Sequence, residues 1–355
     1  MNYGKIFKRA WQILWRYPAL WFFGFLLALT GGSGSSGGGG GSSQNGFHFN
    51  QNDFNNREFL PNNEFGRQMQ HLFDQVRDFF QTTPESTIIA WVVGIVLGLI
   101  LLGIIFTIIR YVSFAGSIRM VNHYEESEEK VSIGQGWRWG WSRSALRLWL
   151  IDLVVMLPVF VAFIILMGCA ALPILLGASA GGNKLGVPAI IAGVGLAFFA
   201  LFVIIIAALF IRVWLQYAHI SSVVQEQGVF DSLRAAWKIM RTFWKDTVLV
   251  WLINFGVRIA VMIVSVPIIL LILAIVVVIS GAVGFLWYSA AAAVSVGMIL
   301  TVLLLFILLM VIPVSFVQGF SQIYFLNVWI LVYRETQAKQ QLKSEPVDIL
   351  PEPTG

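Results

Sequence analysis

From Ile88 to Ile109 the chain runs without one charged side chain. A helix of that length matches the roughly 30 Å hydrocarbon core of a bilayer, at about 1.5 Å rise per residue. Leu148–Met167 and Pro188–Ile211 are comparable stretches, the first broken only by Asp152. From Thr247 to Tyr333 the chain is apolar almost throughout, with Arg258 as the one charge. Composition points the same way: 58% of residues are hydrophobic and 12% charged, where soluble domains carry about 25% charged residues. Lipid must therefore solvate much of this chain. The expected fold class is all-α, a polytopic membrane helix bundle. Six transmembrane helices are expected, in three repeated pairs. Pro18–Thr30 is short for a span and is expected to borrow turns from the segment before it. The last two spans are placed at about 248–279 and 292–333, around a turn near Ser280–Gly284, with Trp287 and Tyr288 at the far interface. A further break at Pro313 would create a seventh span.

Charge placement decides between six and seven. Of the 23 lysines and arginines, all but Arg57, Arg67, Arg77, Lys184 and Arg258 fall in segments that six spans place on one face of the membrane. That is the positive-inside bias, and it puts both termini in the cytoplasm. A seventh span would carry the basic C-terminal segment across. The basic N-terminal segment extends to Arg16 and contains Trp11 and Trp15, with no clean small-x-small site after Leu29. It is read as uncleaved.

Self-similarity organises the chain further. Trp149-Leu-Ile-Asp152 recurs as Trp251-Leu-Ile-Asn254, and the same offset pairs Arg110 with Arg212 and Arg143 with Lys245. A weaker N-terminal copy lays Trp11 over Trp139 and Trp21 over Trp149. The repeated unit is a basic, tryptophan-rich segment, an outgoing span, a turn and a long returning span. The basic segments have helical periodicity. In Asp231–Lys245 the cations Arg234, Lys238, Arg241 and Lys245 oppose Leu233, Ala236, Trp237, Met240 and Trp244, with Asp231 and Ser232 as N-cap candidates. Gly4–Arg16 sets Lys5, Lys8, Arg9 and Arg16 against Phe7, Ala10, Trp11 and Leu14. Gly134–Arg147 is a poorer copy, carrying Arg138, Arg143 and Arg147. Such cytoplasmic-side amphipathic interfacial helices are expected to lie in the headgroup plane, apolar face down. They are either topological anchors or contacts to anionic lipid headgroups or a protein partner.

The expected domain organisation is one membrane domain over residues 1–335 and a disordered cytoplasmic tail over 336–355. Within the domain, 31–86 is an outer loop of Gly/Ser- and Asn-rich linker. Its end, Glu64–Gln81, has an apolar stripe of helical spacing.

Reactive constellations are missing from the pattern. His48, His71, His123 and His219 have no ligand spacing, so neither a metal nor another cofactor is expected. Cys169 stands alone in an apolar run, and no nucleophile elbow or phosphate-binding loop occurs. The basic residues border apolar segments, which points to a membrane surface and not to nucleic acid. Intramembrane polar residues remain, because charge in hydrocarbon is costly. Arg258 lies roughly 16 Å along its helix from Thr247, with Asn254 one turn earlier. Asp152 on another span could neutralise Arg258. The three make either a structural pair with hydrogen bonds or a polar midplane site on a transport pathway.

Phe7-x-x-Ala-Trp11 before the first span and Asp231-Ser-Leu-Arg-Ala-Ala-Trp237 before a later one resemble a broad group of bacterial six-helix membrane domains. That group includes the membrane portion of certain glycerophosphodiester phosphodiesterases. The resemblance implies a bacterial plasma-membrane module. It implies no catalysis, since the phosphodiesterase chemistry belongs to a separate soluble domain, and it leaves the outer loop unexplained. The expected function is therefore non-enzymatic: a scaffold or accessory protein engaging lipid headgroups or a partner at the cytoplasmic face. The alternative is a small-molecule or ion transporter or channel using Arg258, Asn254 and Asp152.

Overall fold

The computed structural model describes residues 2–31, 84–179, 186–291 and 296–344. Among these there are nine helices and no strand. They are α1 (Tyr3–Arg16), α2 (Ala19–Leu29), α3 (Glu85–Ser127), α4 (Ile133–Gly140), α5 (Arg143–Ser179), α6 (Gly186–Val224), α7 (Val229–Thr242), α8 (Trp244–Ala291) and α9 (Val296–Ser344). Their order is a short helix followed by two further helices, three times over. With no water to satisfy peptide groups in lipid, helix is the form in which a span can bury its own backbone polarity.

Five helices, α3, α5, α6, α8 and α9, are long and apolar enough to cross a membrane. The sixth crossing rests on α2, whose 11 residues cover only about 16 Å. With α1 it forms a pair that is long and apolar enough to cross only when the two are taken together, and the pair is bent by 98°. Pro18 lacks a backbone N–H and disfavours helical geometry at Tyr17, whose ψ of 75° ends α1.

The expected turn at Ser280–Gly284 is absent: α8 runs on to Ala291. Ser280 instead donates to the Val276 carbonyl, a bond made within the helix. The helix of α9 likewise continues through Pro313, and those of α5 and α8 through Pro158, Pro173 and Pro267. The segment placed in a tail from 336 is also helical as far as Ser344. Thr336 is fully buried there and Lys339 reaches Asp246 at 3.6 Å, so packing holds what composition alone would release. Most of the outer loop, including Glu64–Gln81, and residues 345–355 lie outside the described residues.

Two compact units emerge. The first comprises the described residues of Met1–Gly24, Tyr111–Val257 and Phe320–Gly355. It holds the dense core: Leu20, Phe23, Ile118, Met120, Leu148, Ile151, Tyr217, Ile220 and Tyr333 are wholly buried. The second comprises those of Phe25–Arg110 and Arg258–Gly319. Its large apolar side chains are mostly exposed, Ile89, Leu99, Met262 and Leu304 each by more than half. Exposure of that kind is stable in hydrocarbon and not in water.

Close backbone approach shapes the first unit. A Cβ on Gly140 of α4 would stand 2.2 Å from the Val112 carbonyl oxygen of α3, and one on Gly116 of α3 2.8 Å from the Gly136 carbonyl. Glycines on both helices let the α4 backbone lie against α3. Between α5 and α6, Gly177 and Gly193 do the same against Ile190 and Ile174.

Candidate functional site

Two features of the first unit carry polar chemistry. One is buried. Asp152, on α5, accepts a hydrogen bond from the Tyr111 hydroxyl of α3 at 2.6 Å. Its other carboxylate oxygen lies 2.9 Å from His219 Nε2 of α6. That nitrogen makes no hydrogen bond of good geometry there. His219 is buried, with the Phe114 ring edge-on against it at 5.6 Å. Three helices thus converge on one carboxylate. Tyr111 was not among the residues singled out from the sequence, and no spacing rule could have joined it to Asp152. Asn254, on α8, is also buried in this unit, and its amide makes no hydrogen bond. Asn327 on α9 is in the same condition. Arg258 belongs to the second unit and is half-buried.

The other feature is a surface. The short helices α1 and α7 bury one stripe against the protein: Ile6, Ala10, Ile13 and Leu14 on α1, and Leu233, Ala236, Ile239 and Met240 on α7. This corrects the expectation that their apolar face meets lipid. Protein covers most of that face, and tryptophans are what it leaves outside. Ala10 and Ala236 are both 0% exposed, while the residues after them, Trp11 and Trp237, are 48% and 47% exposed. The small residue permits close helix contact and the indole rides at its edge. Trp11, Trp15 and Trp21 gather edge-on around Phe320 at 5.6–6.0 Å, and Tyr324 stands against Trp11 at 5.9 Å.

Local capping explains where these helices start. Ser132 and Gln135 form a capping box on α4, and the Asn2 side chain accepts from the Lys5 N–H on α1. On α7 the N-cap is Gly228, not Asp231 or Ser232. Asp231 falls in the first turn, and Ser232 is buried, donating to the Gly228 carbonyl.

The acidic residues near these helices are largely engaged. Glu125 binds Arg9 at 2.9 Å, Glu226 binds Arg119 at 2.7 Å, Glu126 meets Arg334 at 3.4 Å, and Asp246 accepts from the Tyr3 hydroxyl at 2.7 Å. Two of the cations expected at headgroups are therefore structural. Arg9 is held by Glu125 and Glu128, and Arg147 donates to the backbone carbonyls of Glu226 and Gln227. Glu226 occupies the left-handed region at φ 54°, which turns the chain from α6 into α7. The remaining cations, Lys5, Lys8, Arg16, Arg138, Arg143, Arg234, Lys238, Arg241 and Lys245, are exposed and form no ion pair among the described residues.

Tyr17 locks the α1–α2 corner to the segment after α3. Its hydroxyl donates to the Val131 carbonyl at 2.8 Å and accepts from the Val131 N–H at 2.7 Å. Burial pushes its pKa up to about 12. The Tyr3 phenol is likewise raised to about 12, by burial and then by its bond to Asp246.

No group of three or more His, Cys, Asp or Glu side chains is placed to hold a metal among the described residues. A groove of about 380 Å³ is lined, among the described residues, by Thr87, Ala90, Trp91, Gly94 and Ile95 of α3, none of them titratable.

Long apolar helices, exposed apolar flanks and one densely packed unit define an all-helical polytopic membrane protein. Over residues 14–342 the chain matches the model of a family of unknown function (DUF7544), and it belongs to that family. No curated protein and no solved structure matches it. None of these comparisons links it to the phosphodiesterase membrane domains.

Proposed function

We propose that this protein is a non-enzymatic membrane module, a scaffold or accessory subunit that holds anionic lipid headgroups, or a partner, against the face formed by α1, α4 and α7. One observation carries the reading. The acids around these helices are mostly bound to cations or a phenol within the protein, while nine cations stay exposed beside exposed tryptophans. Excess positive charge with indoles alongside is the chemistry of an anionic bilayer surface. On this reading the face is cytoplasmic, the membrane is a bacterial plasma membrane, and the repeated order of elements reflects an internal triplication. The likeness of Phe7-x-x-Ala-Trp11 and Asp231–Trp237 to the phosphodiesterase membrane domains belongs to the same proposal. The test is reconstitution of the full chain in nanodiscs of phosphatidylcholine with increasing phosphatidylglycerol. Enrichment of phosphatidylglycerol around the protein, weakened by salt, supports the reading. A lipid shell of bulk composition at every ratio refutes it.

A second reading, a transporter or channel, is favoured by the buried, unbonded Asn254 amide and the Asp152 carboxylate. Buried amides of this kind ordinarily bind water. In a Cys169→Ser background, single cysteines at Phe255 and Val261 should react with membrane-impermeant reagents if water reaches this part of α8. Silence there, with labelling at an exposed control such as Arg234→Cys, leaves the first reading standing.

A further inference from the structure

The exposed cations are not equivalent. On α1 one of four is committed to Glu125, and beside α4 Arg147 is committed to the carbonyls after α6. On α7 none is committed: Arg234, Lys238 and Arg241 are all exposed and form no ion pair among the described residues. Their spacing, with Trp237 between them, is the i, i+3, i+4, i+7 pattern that shares one helix face. Phe230, one turn before Arg234, extends that face and is also exposed. The opposite face is consumed by packing, since Leu233, Ala236, Ile239 and Met240 are buried.

The indole at the centre is held in place. Trp237 stands edge-on against Phe210 at 5.8 Å and Trp214 at 6.1 Å, and Trp214 in turn donates to the Leu233 carbonyl of α7. The one acid on α7, Asp231, sits in its first turn, where the helix dipole favours negative charge. A rigid indole ringed by three uncommitted cations, with a second apolar ring one turn away, suits a ligand that is anionic at its head and apolar behind it.

We infer that the Phe230–Arg241 face of α7 is the principal binding surface for the phosphate headgroup of anionic phospholipid. Arg234, Lys238 and Arg241 take the phosphate, and Trp237 and Phe230 enter the interface beside it. The inference rests on the headgroup reading above and assigns it to one helix. A planar guanidinium suits a phosphate oxygen pair, and indole is at home at the boundary between hydrocarbon and headgroup.

The experiment titrates the detergent-purified full chain with phosphatidylglycerol, and separately with phosphatidylcholine, and counts bound lipid by native mass spectrometry. Four proteins are compared: the wild type, R234Q/K238Q/R241Q, R234K/R241K, and K5Q/K8Q/R16Q on α1. The α7 variant should lose about fivefold in phosphatidylglycerol affinity per cation, on the order of a hundredfold in all, with phosphatidylcholine binding unchanged. R234K/R241K, which keeps the charge but not the guanidinium forks, should fall between the wild type and R234Q/K238Q/R241Q. The α1 variant should lose far less than the α7 variant. An equal or larger loss from α1 overturns the assignment to α7 and leaves the headgroup reading intact. A wild type with no preference for phosphatidylglycerol overturns both. If the α7 changes release an acidic protein while phosphatidylglycerol binding is unaltered, the surface belongs to that partner and the inference fails.

Discussion

At the scale of single residues, the most consequential contacts link positions far apart in the chain. Tyr17 is buried and bonds both backbone groups of Val131. Tyr17→Phe removes both bonds and strands a buried N–H and C=O, which costs about 1–3 kcal/mol. A thermal melt in detergent should fall by several degrees, and an unchanged melting temperature would show that water replaces the hydroxyl. The phenol also has a pH signature. Its pKa is raised from 10 to about 12, so its contribution is complete below pH 10 and is lost as pH rises through 12. Wild type should lose stability in that window by more than Tyr17→Phe does. Asp152 is a second such residue. Asp152→Ala leaves the Tyr111 hydroxyl and the His219 ring without their shared carboxylate, and a loss of about 1–3 kcal/mol follows. Asp152→Asn, which still accepts from Tyr111, should recover part of that stability. Equal stability of both variants and wild type would mean the contact is dispensable.

Helices respond to substitution according to what their glycines meet. Gly140→Ala would place a methyl 2.2 Å from the Val112 carbonyl oxygen, so α4 must move away from α3. Overpacking of that kind costs about 1–3 kcal/mol. Gly98→Ala on α3 meets nothing within 4 Å and should be neutral or slightly stabilising, because alanine is the better helix former. The pair is a controlled comparison, and equal melting temperatures would contradict the α3–α4 contact. Helix ends follow a similar logic. The sequence signals for N-caps led to Asp231 and Ser232, yet Gly228 occupies the cap. A serine at such a position can equally serve in the first turn by bonding back to a carbonyl, as Ser232 does. The turn expected at Ser280–Gly284 failed for a related reason. Glycine breaks helices in water, where freed peptide groups are solvated, but in hydrocarbon the helix persists across it.

For the molecule as a whole, the division of labour is between a unit that buries its side chains and one that exposes them. Apolar residues such as Ile95 and Leu99 on α3 are exposed by more than half. A lipid-soluble carbene probe should label the Ile89–Ile105 segment of α3 heavily while sparing Ile118 and Val121 on the same helix, which are fully buried. Even labelling along α3 would mean that the second unit is covered in the membrane.

The sequence by itself determined the solvent and the helices. Uninterrupted apolar runs admit only helix in lipid, because no other spanning segment satisfies its own backbone, and five of the six expected spans stand as long apolar helices. It also revealed three basic, tryptophan-bearing segments, since a charged face repeating every three or four residues is a local property. Tertiary structure decided which of those charges remain available. Arg9 and Arg147 look like their neighbours in the sequence, yet they are bound to Glu125 and to the carbonyls after α6, more than seventy-five residues distant in each case. It likewise decided that Asp152 meets Tyr111 and His219. An ion pair depends on which helix faces converge, and that is set by packing at Gly116, Gly136 and Gly140 and in the buried core, which no local pattern encodes.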